Sequence, residues 1–392
     1  MKHSRRLVAA VAVAAATALT LTGCVQSSNG SPGGGNSTGT GSTGASQTLT
    51  VFISADTNIQ DLWQKTLIPA FEQANPNYTV NVSFDLHGQH DQQTIAKLTA
   101  ATAQNKDPGY DLVDAGFVSQ IAASGLLTKV DTSNVPELKD VPPATVAAGG
   151  NGGIPYRASS VLIAYNKDKV TTPPKSLDDL LAWIKANPGK FTYNSPATGG
   201  SGQSFVTTVL DKYLSTADRK TLETSYAPNL ETKWNPGFQT LASLNPYVFQ
   251  KGVYPNGNNQ VLDLLSSGQI WMAPVWSDQF ITGQKNGQIP ANIAYTQITN
   301  PSLTGGAAYL GIPKASPRQQ GALKLVSWLL SPDAQTLISN QVAGYPVINL
   351  SLLPAGVQQK FKNANIGNLR PPYFASTASD LNKLWSEKVP GK

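Results

Sequence analysis

The chain has 392 residues, with 29 Lys and Arg against 23 Asp and Glu, and only one cysteine. Lys2, Arg5 and Arg6 open it, so the rest holds 26 basic against 23 acidic groups; without a basic cluster, that balance argues against a nucleic-acid surface. With its single cysteine at position 24, the body beyond has no disulfides and no thiol chemistry. The 346 residues from Gln47 onward exceed what one core usually fills, so two domains are expected.

After the basic start comes an apolar run, Leu7 to Leu21, which ends in small residues at Gly23 and Cys24. This is the three-part layout of a secretory signal. A spanning helix with a chance cysteine is the plainer reading, but it needs roughly 20 apolar residues. Leu21-Thr22-Gly23-Cys24 resembles the lipobox of bacterial lipoproteins. That resemblance implies a signal peptide over 1–23 and a diacylglyceryl group on Cys24, which would anchor the chain to a membrane. Val25 to Ser46 is almost all Gly, Ser, Thr, Asn and Gln without a charge. Such a composition predicts a disordered linker over 24–46 with an r.m.s. span of roughly 25 Å.

Strand and helix patterns then alternate. Thr48–Ile53 reads as a buried strand. Ile59, Leu62, Trp63, Leu67 and Phe71 share a helical face that Asn75-Pro76 ends. Tyr78, Val80, Val82 and Phe84 alternate as a second strand. A helix near 94–104 leads to a short strand ending at Asp114, and a further short helix closes at Gly125. This order predicts an α/β fold with a mainly parallel sheet flanked by helices.

A second unit follows. Val161–Asn166 reads as a strand, and Ser176-Leu177-Asp178-Asp179 as a capping box. Phe191–Tyr193 is the next predicted strand, and the Gly- and Ser-rich loop 194–202 opens another helix. Val261–Leu265, stopped by Gly268, precedes a strand over Ile270–Trp276.

Several of these segments resemble the extracellular solute-binding proteins of ABC importers, of the periplasmic-binding type II fold. They are Phe71-Glu72 before Asn75-Pro76, Asp111-Leu112-Val113 before Ser124-Gly125-Leu126-Leu127, Ile154-Pro155-Tyr156 before Ala164-Tyr165-Asn166, Ser267–Ala273, Leu330–Gln335 and Gly344–Val347. Tyr156–Ser160 and Trp183–Gly189 look closest to thiamine-, polyamine- and iron-binding receptors. The resemblance implies two hinged lobes, one of 47–157 plus about 292–330, the other of 158–291 plus about 331–392. The chain would cross near Tyr156–Ser160, Ala291–Thr299 and Leu330–Asp333. It further implies a monomer without a cofactor, partnered by an ABC permease and its ATPase.

In open α/β sheets ligands collect beyond the carboxyl ends of strands. The candidates are therefore Asp56, Asn58, His87, Gly88 and Asp114, then Tyr156 and Arg157 at the crossover, and Thr198, Ser201, Gly202, Trp276, Ser277 and Asp278 beyond. Backbone N–H groups at the helix start after Thr198 suit an anion. Trp276 suits a sugar ring or an organic cation, with Asp278 beside it. The aspartates serve equally as helix caps, Trp276 as core, the glycine loop as a turn, and Arg157 as an ion-pair partner across the hinge. His87 and His90 with Asp85 and Asp91 have metal-ligand chemistry, but a site needs three or four converging ligands, and polar surface is the commoner outcome, so no metal is expected. No adjacent tyrosine pair occurs for iron. Gly199-Gly200-Ser201-Gly202-Gln203 lacks the last glycine of a nucleophile elbow, so no enzyme is expected. The expectation is a lipid-anchored receptor for a small polar solute; a sensing or adhesion lipoprotein of the same fold is the alternative.

Overall fold

The computed structural model describes residues 46–86, 88–299, 301–362 and 369–390. The signal segment, Cys24, most of the linker and His87 lie outside them. Among the described residues no helix is long and apolar enough to cross a membrane.

Among the described residues seven strands run in the order β2 (Tyr78–Leu86), β1 (Gln47–Ala55), β3 (Leu112–Asp114), β7 (Gly305–Gly311), β4 (Gly153–Asn166) and β5 (Met272–Trp276), with β6 (Ile293–Thr296) also on β4. β1 (Gln47–Ala55) lies parallel between β2 (Tyr78–Leu86) and β3 (Leu112–Asp114), in register from Gln47 opposite Tyr78 to Ala55 opposite Leu86. β7 (Gly305–Gly311) runs antiparallel to β3 and to the first half of β4 (Gly153–Asn166). The second half of β4 pairs antiparallel with β5 (Met272–Trp276) and β6 (Ile293–Thr296). One 14-residue strand, buried at nearly every position, thus belongs to both sheets, and its near-continuous burial fits a strand covered on both faces.

Each half has its own core. Trp63, Phe71, Ile154, Tyr156, Leu329 and Ile338 pack in the first, and Phe191, Tyr193, Phe205, Trp234 and Trp385 in the second. Smaller clusters around Val113 and Phe117, and around Val275 and Phe280, lie beside them.

The α/β class stands, while four details differ from the sequence expectation. The second half's named strands pair only antiparallel, because β4 enters reversed and β5 and β6 align on it. Phe191–Tyr193 forms no strand, only a parallel bridge from Phe191 to Met272. The first long helix contains a π segment, Leu62–Leu67, between α-helical Thr57–Asp61 and Ile68–Ala74. Finally, the cores divide the chain elsewhere. Ile293, Ile298 and Leu303 pack in the second half, whereas Ile338, Val347, Val357 and Phe361 pack in the first core. Only Tyr373 to Val389 rejoin the second core. The chain therefore returns near Gly305, and Leu330, where a crossing is expected, stays in the first core together with Ile338 and Phe361. Amphipathic spacing shows that a helix has a buried face, but not which core receives it.

Candidate functional site

Strand ends from both halves meet around one polar cluster. Asp56 follows β1 at the start of the helix Thr57–Asp61, Asn58 is the second residue of that helix, and Asp114 ends β3. Tyr156 and Arg157 lie in β4, and Asp278 is in the first turn of the helix Ser277–Lys285 after β5.

A relay of hydrogen bonds links them. The Trp63 indole N–H and the Tyr156 hydroxyl both donate to Asp114 Oδ2, at 2.9 and 2.5 Å. Arg157 Nε donates to the Tyr156 oxygen at 2.8 Å, and its Nη1 lies 3.4 Å from Asp278 Oδ2. Asn58 Nδ2 approaches that same oxygen at 3.4 Å. Asn258 Nδ2 donates to Asp56 Oδ2 at 2.7 Å, so Asp56 holds the N-cap position without a cap bond. Ser277 Oγ accepts from the Ser160 N–H at 3.1 Å.

Burial dominates the electrostatics. It pushes the Asp278 carboxyl up; Arg157 pulls back, and the nearby Asp56 charge adds to the rise. Asp114 is likewise raised by burial, against Arg157 and the bonds from Tyr156 and Trp63. Burial works against the charge on Arg157, but Tyr156, Asp278 and Asp114 together hold its proton more firmly than usual. The 3.4 Å contacts of Asp278 are long for charged partners, which prefer about 2.7–2.9 Å. Asp278 Oδ1, Asn58 Oδ1, Ser160 Oγ and Gln279 Oε1 are buried and make no hydrogen bond.

The glycine loop serves a different end from the one expected. Ser201 N–H donates to Asn258 Oδ1 at 3.3 Å, and Gly202 N–H to Asn194 Oδ1 at 2.9 Å. Ser201 Oγ lies 2.7 and 2.9 Å from the same two oxygens. The amides expected to face an anion are thus engaged by asparagines of this chain. Thr198 Oγ1 accepts from the Gly257 N–H and donates to Ser195 O. Trp276 is half-buried, its ring edge set where a Gly200 Cβ would come within 2.8 Å.

Gly88 stands apart, at φ +71°, where an added Cβ would meet Asp91 and Ser54. His90 Nδ1 lies 2.8 Å from Asp85 Oδ1. Among the described residues no three His, Cys, Asp or Glu side chains converge for a metal. Two open cavities, of about 440 Å³ (Phe249, Val253, Gln260, Leu264) and about 270 Å³ (Phe52, Asp85, His90, Tyr110), share no residue with the cluster. Sequence reading missed Trp63, Asn194, Asn258 and Gln279 as members of the site. Only Asn258, after a glycine at a helix start, offered a cue.

Residues 66–365 match the family described as bacterial extracellular solute-binding protein. Protein YnjB of Escherichia coli (strain K12) is 27% identical over 241 residues, which is 59% of this chain and 60% of that relative's length. The chain thus covers less than two thirds of that relative. Among solved structures, the Atu4243–GABA receptor aligns at 20% identity and TM-score 0.64, over 86% of this chain and 96% of its own. Iron-bound HitA from Pseudomonas aeruginosa aligns at 20% identity and TM-score 0.62, over 86% and 99%. These two likenesses establish the fold, and their different ligands leave the cargo to be argued from residues. With two cores, a strand shared between two sheets and a family match over most of its length, the chain belongs to the bacterial extracellular solute-binding proteins, a two-lobed family of binding proteins and not of enzymes.

Proposed function

We propose that the chain is the lipid-anchored receptor of an ABC importer, capturing a small polar organic solute between its lobes and delivering it to a permease. The observation that carries this reading is the meeting of side chains from both halves: Asp56 on Asn258, and Asn58 with Arg157 on Asp278. A solute touching both halves stabilises the closed arrangement, and a permease that recognises that form is told the cargo is aboard. Asp56, Asn58, Arg157, Trp276 and Asp278 are the proposed solute contacts, while Asp114 and Tyr156 position Arg157. Ser201 and Gly202 shape the helix start behind Trp276. Residues 1–23 act as the signal peptide and Cys24 as the acylated anchor.

A thermal-shift screen of the full chain in detergent, against amines, sugars and carboxylates, tests the receptor. A binder raises the melting temperature, and Asp278→Ala with Asn58→Ala abolishes the shift. A hit indifferent to both changes would sink this site. Cys24→Ala should move the protein from the membrane to the soluble fraction; unaltered fractionation removes the anchor.

A further inference from the structure

We infer that the solute is a small organic cation carrying N–H donors, held by Asp278 and Asn58. This rests on the receptor reading above and names the chemistry of its cargo.

Three observations point the same way. The first is charge: the buried Asp114 and Asp278 share the cluster with one guanidinium, Arg157, so their formal balance is one negative charge in excess. A cation compensates that excess, whereas a neutral sugar leaves it standing and an anion enlarges it. The second is the pattern of unused groups. Asp278, only 4% exposed, leaves Oδ1 without a hydrogen bond, and Asn58 Oδ1 beside it is also unused. Both are acceptors, and a buried acceptor left unmade is costly, more so on a charged group. What they lack is a donor. Besides the backbone N–H groups of Asp278 and Gln279, the carboxylate has two side-chain contacts, both at 3.4 Å on Oδ2, which leaves it short of a close charged partner.

The third observation weighs against an anion. Both features that suit one are partly engaged within the chain. Arg157 donates through Nε to the Tyr156 oxygen, which is tied to Asp114, and through Nη1 to Asp278. The N–H groups of Ser201 and Gly202 are taken by Asn258 and Asn194. An incoming carboxylate or phosphate finds Arg157 Nε and these two amides engaged, while an ammonium finds the acceptors Asp278 Oδ1 and Asn58 Oδ1 open. Trp276, two residues before Asp278 and half-buried, supplies an aromatic face of the kind that attracts cations.

The test is isothermal titration calorimetry of the full chain in detergent with butylamine, 1,4-diaminobutane and choline, alongside glucose and succinate. At least one of the two amines should bind saturably. Choline, which lacks an N–H, should bind at least about tenfold more weakly, the loss of one charge-assisted hydrogen bond. Asp278→Asn should weaken the amine by a similar factor; should that variant not fold, Asn58→Ala provides the same comparison from the other half. Absence of heat from both amines overturns the inference, as does amine binding indifferent to either substitution. In that event heat from glucose or succinate shows that the receptor reading survives without the cation, and silence from all five probes counts against both.

Discussion

Gly202 has no room for a methyl group. An added Cβ would lie 1.9 Å from the Asn194 carbonyl oxygen, and the Gly202 N–H already donates to the side chain of Asn194. Backbone cannot swing aside as a side chain can, so Gly202→Ala should cost about 1–3 kcal/mol or more as overpacking, read as a lowered melting temperature. Gly200 gives the contrast. Its added Cβ would meet the edge of Trp276 at 2.8 Å, and a half-buried ring can shift. Gly200→Ala should therefore alter solute affinity more than stability; a melting temperature as low as that of Gly202→Ala would refute this. The residue types of the Gly-Gly-Ser-Gly loop were legible as a helix opening, but not their partners. Asn194 is eight residues from Gly202, and Asn258 is 57 from Ser201; no local pattern announces a bond across that distance.

At the scale of elements, the first half of β4 is held to the helix Pro332–Gln341 by one side chain. Gln335, fully buried, donates to Tyr156 O at 2.7 Å and Leu329 O at 2.9 Å, and accepts from the Val347 N–H at 3.0 Å. Gln335→Leu removes all three bonds and strands buried backbone groups. The expected loss is about 2–4 kcal/mol, measured by denaturant unfolding, and an unchanged midpoint would show the tie to be dispensable. Because Tyr156 neighbours Arg157, solute affinity should fall as well. The sequence periodicities marked most helices and strands, since these follow from local apolar spacing: Ser176, read as the first residue of a capping box, does accept from the Asp179 N–H. Pairing direction was not legible in the same way. The Val161–Ala164 run of β4 is apolar whether its neighbours run parallel or antiparallel, and its reversal decided the second sheet. Nor did spacing reveal that Ile338 and Phe361 belong to the first core.

The whole molecule's response to pH follows from groups whose folded values are raised. Burial, with the neighbouring Asp380 carboxylate, pushes Glu231 up to about 7, and burial raises Asp114 and Asp278. A carboxyl raised in the folded state binds protons more readily folded than unfolded, so its contribution to stability is full below the unfolded value and is lost as pH rises through the folded one. The melting temperature without solute should therefore climb as pH falls from about 8 toward about 5, and Glu231→Gln should flatten the part of that climb near its value. Cation affinity should run the other way. Asp278 faces Arg157, Asp56 and Asn58, and protonating it removes the charge an ammonium would meet. Stability and affinity then have opposite slopes with pH, because one carboxylate is a burden to the folded chain alone and the attachment point once the solute arrives. Parallel slopes would mean that Asp278 is structural and that the solute is held elsewhere.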